Sequence, residues 1–148
     1  MSDAILGFKD QFRFLSNFHP SPFTGTSRAA GKIHVRWNEQ WCQVHKTLDP
    51  WHQAKIMCAM NPTDCKKFGR EAPLRDDWEK IKDVVMLTGL RLKFAQNPVM
   101  ADLLEATNPR YLEETNHWQD RYWGVCDGYG KNMLGILLMQ IRAERTLP

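Results

Sequence analysis

The stretch from Asp77 to Pro98 most limits what this chain can fold into. Asp77 can cap a helix, and the pattern predicts one from Trp78 to about Gln96, stopped by Asn97-Pro98. Ile81, Val84, Val85, Leu87, Leu90, Leu92 and Phe94 spread a broad apolar stripe over it. A helix with so wide an apolar face needs several neighbours to cover it.

The rest of the chain offers them. A helix is predicted from Asn38 to near Leu48, where Pro50 disfavours continuation. Trp51 to Met60 has helical spacing. Asn61-Pro62 reads as a cap and first position for a helix over Thr63 to Phe68, with Gly69 as its C′ residue. Val99 to Ala106 and Met133 to about Arg145 complete the set, the latter with Leu134, Leu137, Leu138 and Ile141 as its core face. Residues 1–36 read as irregular or extended. Within them, Thr24 to Gly31 reads as a mobile surface loop, and Lys32 to Trp37 alternates like a half-buried strand. Residues 110–131 have no helical period. The expected fold is mainly α (α+β), about six helices with a small β element near the N-terminus, in one domain over residues 1–148.

Composition narrows the function classes. With 43% apolar and 25% charged residues, the chain is globular rather than disordered. A net charge of +3, from 20 basic and 17 acidic residues well mixed, is no nucleic-acid signature and suits an anionic small molecule. The four cysteines form no CxxC pair. Cys42, Cys58 and Cys65 fall in predicted helices and read as buried thiols rather than disulfides or zinc ligands. His19, His34, His45, His52 and His117 match no metal-binding spacing, so no metal is expected. The first residues lack a basic region and a long apolar run, which predicts no signal peptide, no membrane span and a cytoplasmic setting.

Three stretches could carry chemistry. In Trp37-Asn38-Glu39-Gln40-Trp41-Cys42-Gln43-Val44-His45-Lys46, Asn38 can cap a helix whose one side aligns Glu39, Gln43 and Lys46. Such a column is either a solvated face or the floor of a pocket. In Phe14 to Phe23, Ser16, Asn17 and Phe18 form a fixed turn, either pinned on the core or presented to a ligand. The glycine-rich turn Asp127 to Asn132 opens the last helix, and with Lys131 it has the ingredients of an anion site or of a plain turn. Glu39, Glu113, Glu114 and Asp120 are the candidate carboxylates. Paired acids suit glycosidic cleavage, and Trp or Tyr beside them can stack on a base. Asp120 precedes Tyr122-Trp123-Gly124, where it is either a reactive acid or a turn cap.

Read in order, several motifs match one pattern: Phe14-Leu15-Ser16-Asn17-Phe18, Glu39-x-x-x-Gln43-x-x-Lys46 and Phe68-Gly69-Arg70. They continue with Trp78-x-x-x-Lys82-x-x-x-Met86, Lys93-Phe94, Asp120-x-Tyr122-Trp123-Gly124 and Gly130-Lys131-Asn132-x-Leu134-Gly135-x-x-Leu138-Met139-x-x-Arg142. Together these resemble the YbiA-like, or NADAR, family over roughly residues 8–142. The resemblance implies the YbiA-like fold and hydrolysis of N-glycosidic bonds without a cofactor. The substrates it implies are ribosylamino-pyrimidine phosphates of riboflavin synthesis, cleaved to free base and ribose 5-phosphate. In some relatives the reaction is removal of ADP-ribose from guanine, which would bring a nucleic-acid partner; a non-catalytic nucleotide or ADP-ribose module is the contrasting reading.

The resemblance also implies roles. Glu39 and Asp120 would be the two carboxylates. Lys46 would bind phosphate or ribose hydroxyls, or act as an amine nucleophile. Trp78 and Trp123 would wall the base. Ser16, Asn17, Arg70, Lys131 and Asn132 would hold phosphate and ribose, with Phe18, Gln40, Gln43 and Gly124 completing the substrate contacts. The family's Glu-His-x-x-Gln-x-x-Lys pattern departs here at Gln40, which replaces the His: an amide can hydrogen-bond but cannot relay a proton. The acidic segment before Asp120 is slightly longer than in relatives, which would alter the pocket rim.

Overall fold

The structure is a computed structural model that describes residues 3–147. Its elements run β1 (Ile5–Leu6), a 3-10 turn (Asp10–Leu15), β2 (Phe23–Ser27), β3 (Gly31–Val35), α1 (Asn38–Val44), α2 (Pro50–Met57), α3 (Pro62–Glu71), α4 (Trp78–Gln96), α5 (Pro98–Ala106), β4 (Leu112–Glu113), β5 (Thr115–Asn116), β6 (Val125–Cys126) and α6 (Met133–Thr146). The mainly helical expectation holds. The chain divides into two compact units, one running Asn17–Asn97 and the other joining the described residues up to Ser16 with those from Pro98 onward.

In the Asn17–Asn97 unit, α1 sits between its neighbours, and all seven of its residues are buried. Trp37, Val44, Ile56, Ala59 and Cys65 form one apolar cluster there, with Ile33, Met57 and Phe68 packed against it. On another side, the Trp41 ring lies 5.7 Å from that of Phe23, and its indole N–H donates to the Val85 carbonyl of α4 at 3.1 Å. β2 and β3 pair antiparallel, Phe23 opposite Val35 and Ser27 opposite Gly31. The Thr24-to-Gly31 segment is therefore not a loop: most of it is strand. Gly25 looked like a loop residue but is a packing residue, because a Cβ there would lie 2.6 Å from the Trp41 ring.

Helix boundaries follow the proline punctuation with several corrections. α1 stops at Val44 rather than near Leu48. Asp49 then caps α2 by accepting from the N–H groups of Trp51 and His52 at 2.9 and 3.1 Å. Asn61 caps α3 through Asp64 N–H at 2.8 Å. Gly69 is not a terminator but lies inside α3. Asp77 does precede α4, yet its carboxylate is taken by the Arg75 guanidinium at 2.6 and 3.1 Å instead of by first-turn N–H groups. Cys42 and Cys65 are buried, whereas Cys58 closes α2 and is exposed.

In the second unit, β1 pairs parallel with β4, and β5 pairs parallel with β6. Residues 110–131 thus contain three short strands. α6 packs on α5 and β4 through Leu134, Leu137, Leu138 and Ile141, all buried. Arg142 is buried as well, donating to the Thr107 hydroxyl and the Arg110 carbonyl at 3.0 and 2.8 Å. Among the described residues, no helix is long and apolar enough to cross a membrane.

Candidate active site

The seven residues of α1 are more polar than their burial suggests, and each polar side chain has its own task. Asn38 does not cap the helix; Trp37 holds that position. Asn38 Nδ2 instead donates to Asn17 Oδ1 at 2.9 Å and lies 3.3 Å from Met86 Sδ. The Glu39 backbone N–H donates to the Asn17 carbonyl at 3.1 Å. Asn17 therefore fastens its loop to the start of α1, the pinned alternative for that segment. Phe18 is half-buried beside it.

Gln40 is held on every side by backbone. Its Oε1 accepts from Arg36 N–H at 3.0 Å, and its Nε2 approaches the Ile56 and Met57 carbonyls at 3.2 and 3.3 Å. With 1% exposure, it ties Arg36, just after β3, and the end of α2 to α1. The structure corrects its assignment as a substrate contact, because its hydrogen-bonding capacity is spent inside the fold.

Glu39, Gln43 and Lys46 do share one side of the chain. Glu39 is 9% exposed, and Gln43 Nε2 donates to its Oε1 at 2.6 Å, short as expected for an amide on a carboxylate. Gln43 Oε1 is buried without a hydrogen-bond partner among the described residues. Lys46 follows the helix and is half-buried, its Nζ 5.9 Å from the Trp78 ring centroid. The Lys46 carbonyl accepts from Arg75 N–H at 2.8 Å, which fixes the connection to α4.

The electrostatics of Lys46 are unusual. Burial pushes its pKa down, and Lys66 and Arg70 push the same way; Glu39 opposes them. Cys42, one turn before it, has its thiol pushed far up by burial and by Glu39, so it stays protonated and inert. The arrangement can therefore supply a fixed carboxylate, an amine with a weakened hold on its proton, and the Trp78 ring alongside that amine. The column of Glu39, Gln43 and Lys46 is no solvated face.

The remaining candidates belong to the other unit, where they chiefly build a turn. Ser16 closes the 3-10 turn, its N–H donating to the Arg13 carbonyl at 2.9 Å. Asp120 Oδ1 accepts from Tyr122 and Trp123 N–H at 3.2 and 2.9 Å, the turn-cap alternative. Trp123 is half-buried, and its ring meets that of Tyr122 edge-on at 4.8 Å. Gly124 is buried, and a Cβ on it would lie 2.7 Å from Asn116 Nδ2.

Here the anion-site expectation at the start of α6 fails. The N–H groups of Lys131, Asn132, Met133 and Leu134 donate to the carbonyls of Arg121, Gly124, Tyr122 and Trp123 at 2.9 to 3.2 Å. They are spent on the 121–124 turn and do not await a phosphate. Asn132 is equally committed: Oδ1 accepts from Glu114 N–H at 3.0 Å, and Nδ2 donates to the Leu112 carbonyl at 2.8 Å and Tyr111 Oη at 3.0 Å. Lys131 alone stays exposed, its amine 5.3 Å from the Tyr122 ring centroid.

Lys66, which the sequence did not single out, acts electrostatically on Lys46 together with Arg70; Lys66, Gly69 and Arg70 stand at i, i+3 and i+4 on α3, one face by helical geometry.

Comparison with known proteins brings in an independent line. Residues 7–145 match the family model described as the NADAR domain. The chain is 36% identical over 155 aligned residues to the N-glycosidase YbiA of Escherichia coli K12, covering 99% of this chain and 92% of that protein. It is 35% identical over 136 residues to the riboflavin biosynthesis protein VVA0006 of Vibrio vulnificus, which covers 88% of this chain but 35% of that longer protein. The NMR structure of the E. coli protein YbiA superposes with a TM-score of 0.83 at 34% identity, covering 98% of this chain and 86% of that one.

Proposed function

The chain belongs to the NADAR domain family, and from that premise we propose that it hydrolyses the N-glycosidic bond of a phosphorylated ribosylamino-pyrimidine. The products would be free base and ribose 5-phosphate, and no cofactor is needed. The names of its relatives support the reaction class: N-glycosidase for YbiA, riboflavin biosynthesis for VVA0006. The observation that carries the reading is the pairing of a buried, Gln43-bound Glu39 with a Lys46 amine whose pKa is pushed down.

The chemistry follows from those two groups. A ribosylamine opens to an imine between C1′ and the exocyclic nitrogen of the base. The neutral Lys46 amine adds to C1′, and the base departs as its amine, taking a proton. This leaves a C1′–Nζ Schiff base. Water then adds to C1′, frees the Lys46 amine and leaves the aldehyde of ribose 5-phosphate, which recloses. Glu39 takes a proton from that water and returns it to Nζ as the Lys46 amine leaves C1′. The indole of Trp78, buried at 7% exposure, packs beside the Lys46 amine, 5.9 Å from Nζ to the ring centroid.

The deciding experiment incubates the protein with a ribosylamino-pyrimidine phosphate and, separately, with ADP-ribosyl-guanosine, and follows both by mass spectrometry. The expected result is free base and ribose 5-phosphate from the first. In Glu39→Gln, turnover should fall by at least 100-fold. Tight binding with no product from either substrate would overturn the reading in favour of a binding module. Product from ADP-ribosyl-guanosine alone would replace the substrate.

A further inference from the structure

Three hydrogen-bond donors converge on the sulfur of Met86 in α4. Asn38 Nδ2 lies 3.3 Å from Met86 Sδ, Asn17 Nδ2 3.5 Å and Cys42 Sγ 3.7 Å. All four side chains are buried, so water does not compete for these donors. A thioether is a weak acceptor, yet a buried amide N–H needs some acceptor, and here α4 supplies the sulfur.

The two amides lead directly to Glu39. Asn38 spends one amide N–H on Asn17 Oδ1 at 2.9 Å and has the other for Met86 Sδ. Its Oδ1 has no hydrogen-bond partner among the described residues and is pressed against α4 at Gly89, where a Cβ would overlap it. Turning the amide over would set its oxygen against Asn17 Oδ1, so the orientation is fixed. Asn17 in turn accepts the Glu39 backbone N–H through its carbonyl at 3.1 Å. Met86, Asn17 and Asn38 thus form one clasp around the first turn of α1. Glu39 is held by that clasp on its backbone side and by Gln43 at its carboxylate.

We propose that Met86 is a positioning residue for Glu39, acting through Asn17 and Asn38 by accepting their amide N–H groups. The inference rests on the reading above that Glu39 activates the water that hydrolyses the Schiff base on Lys46. It assigns Met86 to one step. A displaced Glu39 slows the attack of water on C1′, whereas departure of the base, which does not use Glu39, continues. Leucine fills a similar volume but accepts no hydrogen bond, and glutamine keeps an acceptor on a chain of similar length.

The test compares native protein, Met86→Leu, Met86→Gln and Met57→Leu on a ribosylamino-pyrimidine phosphate. Thermal midpoints establish that each variant is folded. Met57 packs on the apolar cluster beside α1 and is the control for exchanging a thioether for an alkyl chain. Met86→Leu should lower kcat at least tenfold. It should change kcat/KM, which is set by the steps up to base departure, less than threefold. The fraction of Lys46 trapped by borohydride during turnover should rise, because the intermediate accumulates. Met86→Gln should keep kcat within threefold, and Met57→Leu within twofold. In proton–nitrogen correlation spectra, the side-chain amide signals of Asn17 and Asn38 should move in Met86→Leu and stay in Met57→Leu.

A merely loosened fold would lower kcat and kcat/KM together with no gain in adduct, and that result would overturn the proposal. Unchanged kcat in folded Met86→Leu, or unmoved Asn17 and Asn38 signals, would overturn it as well. Met86→Gln decides the matter should Met86→Leu not fold: retained kcat supports the acceptor role, and a tenfold loss in the folded variant overturns it. No turnover by the native protein would remove the glycosidase reading and this role together. Native turnover insensitive to Met86→Leu would remove this role alone.

Discussion

Gly69 of α3 is pressed against the amide of Gln43 in α1: a Cβ at this glycine would sit 2.7 Å from Gln43 Cδ and overlap Oε1. The same amide donates to Glu39 at 2.6 Å. A backbone position on one helix thereby fixes a side chain that fixes a carboxylate on another. Gly69→Ala should displace Gln43 and loosen Glu39. Overpacking of a filled interface typically costs about 1–3 kcal/mol. The expected outcome is a lower midpoint in urea denaturation together with at least a tenfold loss of kcat. An unchanged midpoint and unchanged kcat would remove Gly69 from this chain of support.

The lowered pKa of Lys46 has a kinetic signature. Burial destabilises its charged form, and Lys66 and Arg70 add to that. A nucleophilic amine must be neutral, so kcat/KM should rise with pH and level off above an inflection lying below the ordinary lysine value of 10.5. Borohydride added during turnover should attach a pentose phosphate to Lys46, seen by peptide mass spectrometry. Lys46→Met should abolish the adduct and reduce turnover about 1000-fold. Full activity in Lys46→Met would restrict this residue to binding at most.

The residues show which features can be read from sequence and which cannot. Proline pairs and their preceding caps are local signals, so α3, α4 and α5 could be placed to within a few residues from Asn61-Pro62, Asp77 and Asn97-Pro98. The burial of α1 could not be read that way. Asn38, Glu39, Gln40 and Gln43 look like a solvent face, and their partners lie far along the chain: Asn17, Met86, the Ile56 carbonyl and Gly69. Gly25 and Gly69 misled for a related reason. A glycine that ends a helix and one that admits a neighbouring side chain are the same letter. The Gly-Lys-Asn turn misled because helix N–H groups are free only if nothing folds back onto them, and the 121–124 carbonyls do so.

Asp120 offers a separation of roles. Its Oδ1 caps the turn through two backbone N–H groups. Asparagine keeps that oxygen and that geometry but loses the charge. Asp120→Asn should therefore fold normally and retain kcat within about tenfold, while Asp120→Ala should lower the thermal midpoint. A 100-fold loss of kcat in a well-folded Asp120→Asn protein would instead make Asp120 the second reacting carboxylate.

Lys93 is fully buried in α4, and burial pushes its pKa down to about 7. The unfolded chain restores the ordinary lysine value of 10.5. Between those two values the unfolded state binds the extra proton, so stability rises with pH across that window. Denaturant titrations at pH 7 and pH 10 should show a gain of a few kcal/mol at the higher pH. Lys93→Met keeps the apolar stem and removes the titration, so the gain should shrink markedly. An equal gain in the variant would assign the effect to other groups.

His45 bears on the acid side. Its Nδ1 lies 2.7 Å from the Trp41 carbonyl, which only accepts, so Nδ1 carries the proton. Nε2 lies 2.7 Å from Ser27 Oγ, which itself accepts from Ala30 N–H at 3.0 Å and turns its hydroxyl proton toward the ring. Both nitrogens are satisfied in the neutral form, and burial lowers the pKa below the ordinary 6.5. Below pH 6.5 the unfolded chain gains a proton that the folded chain resists. Stability should fall as pH drops from 6.5 toward the folded-state value and change no further from this group below it. Denaturation midpoints at pH 7.5, 6.0 and 5.0 should show the fall. Ser27→Ala removes the hydroxyl donor that favours neutral His45, so part of the fall should disappear. Proton–nitrogen correlation spectra should place the proton on Nδ1 at pH 7. A doubly protonated ring at that pH would refute the neutral assignment.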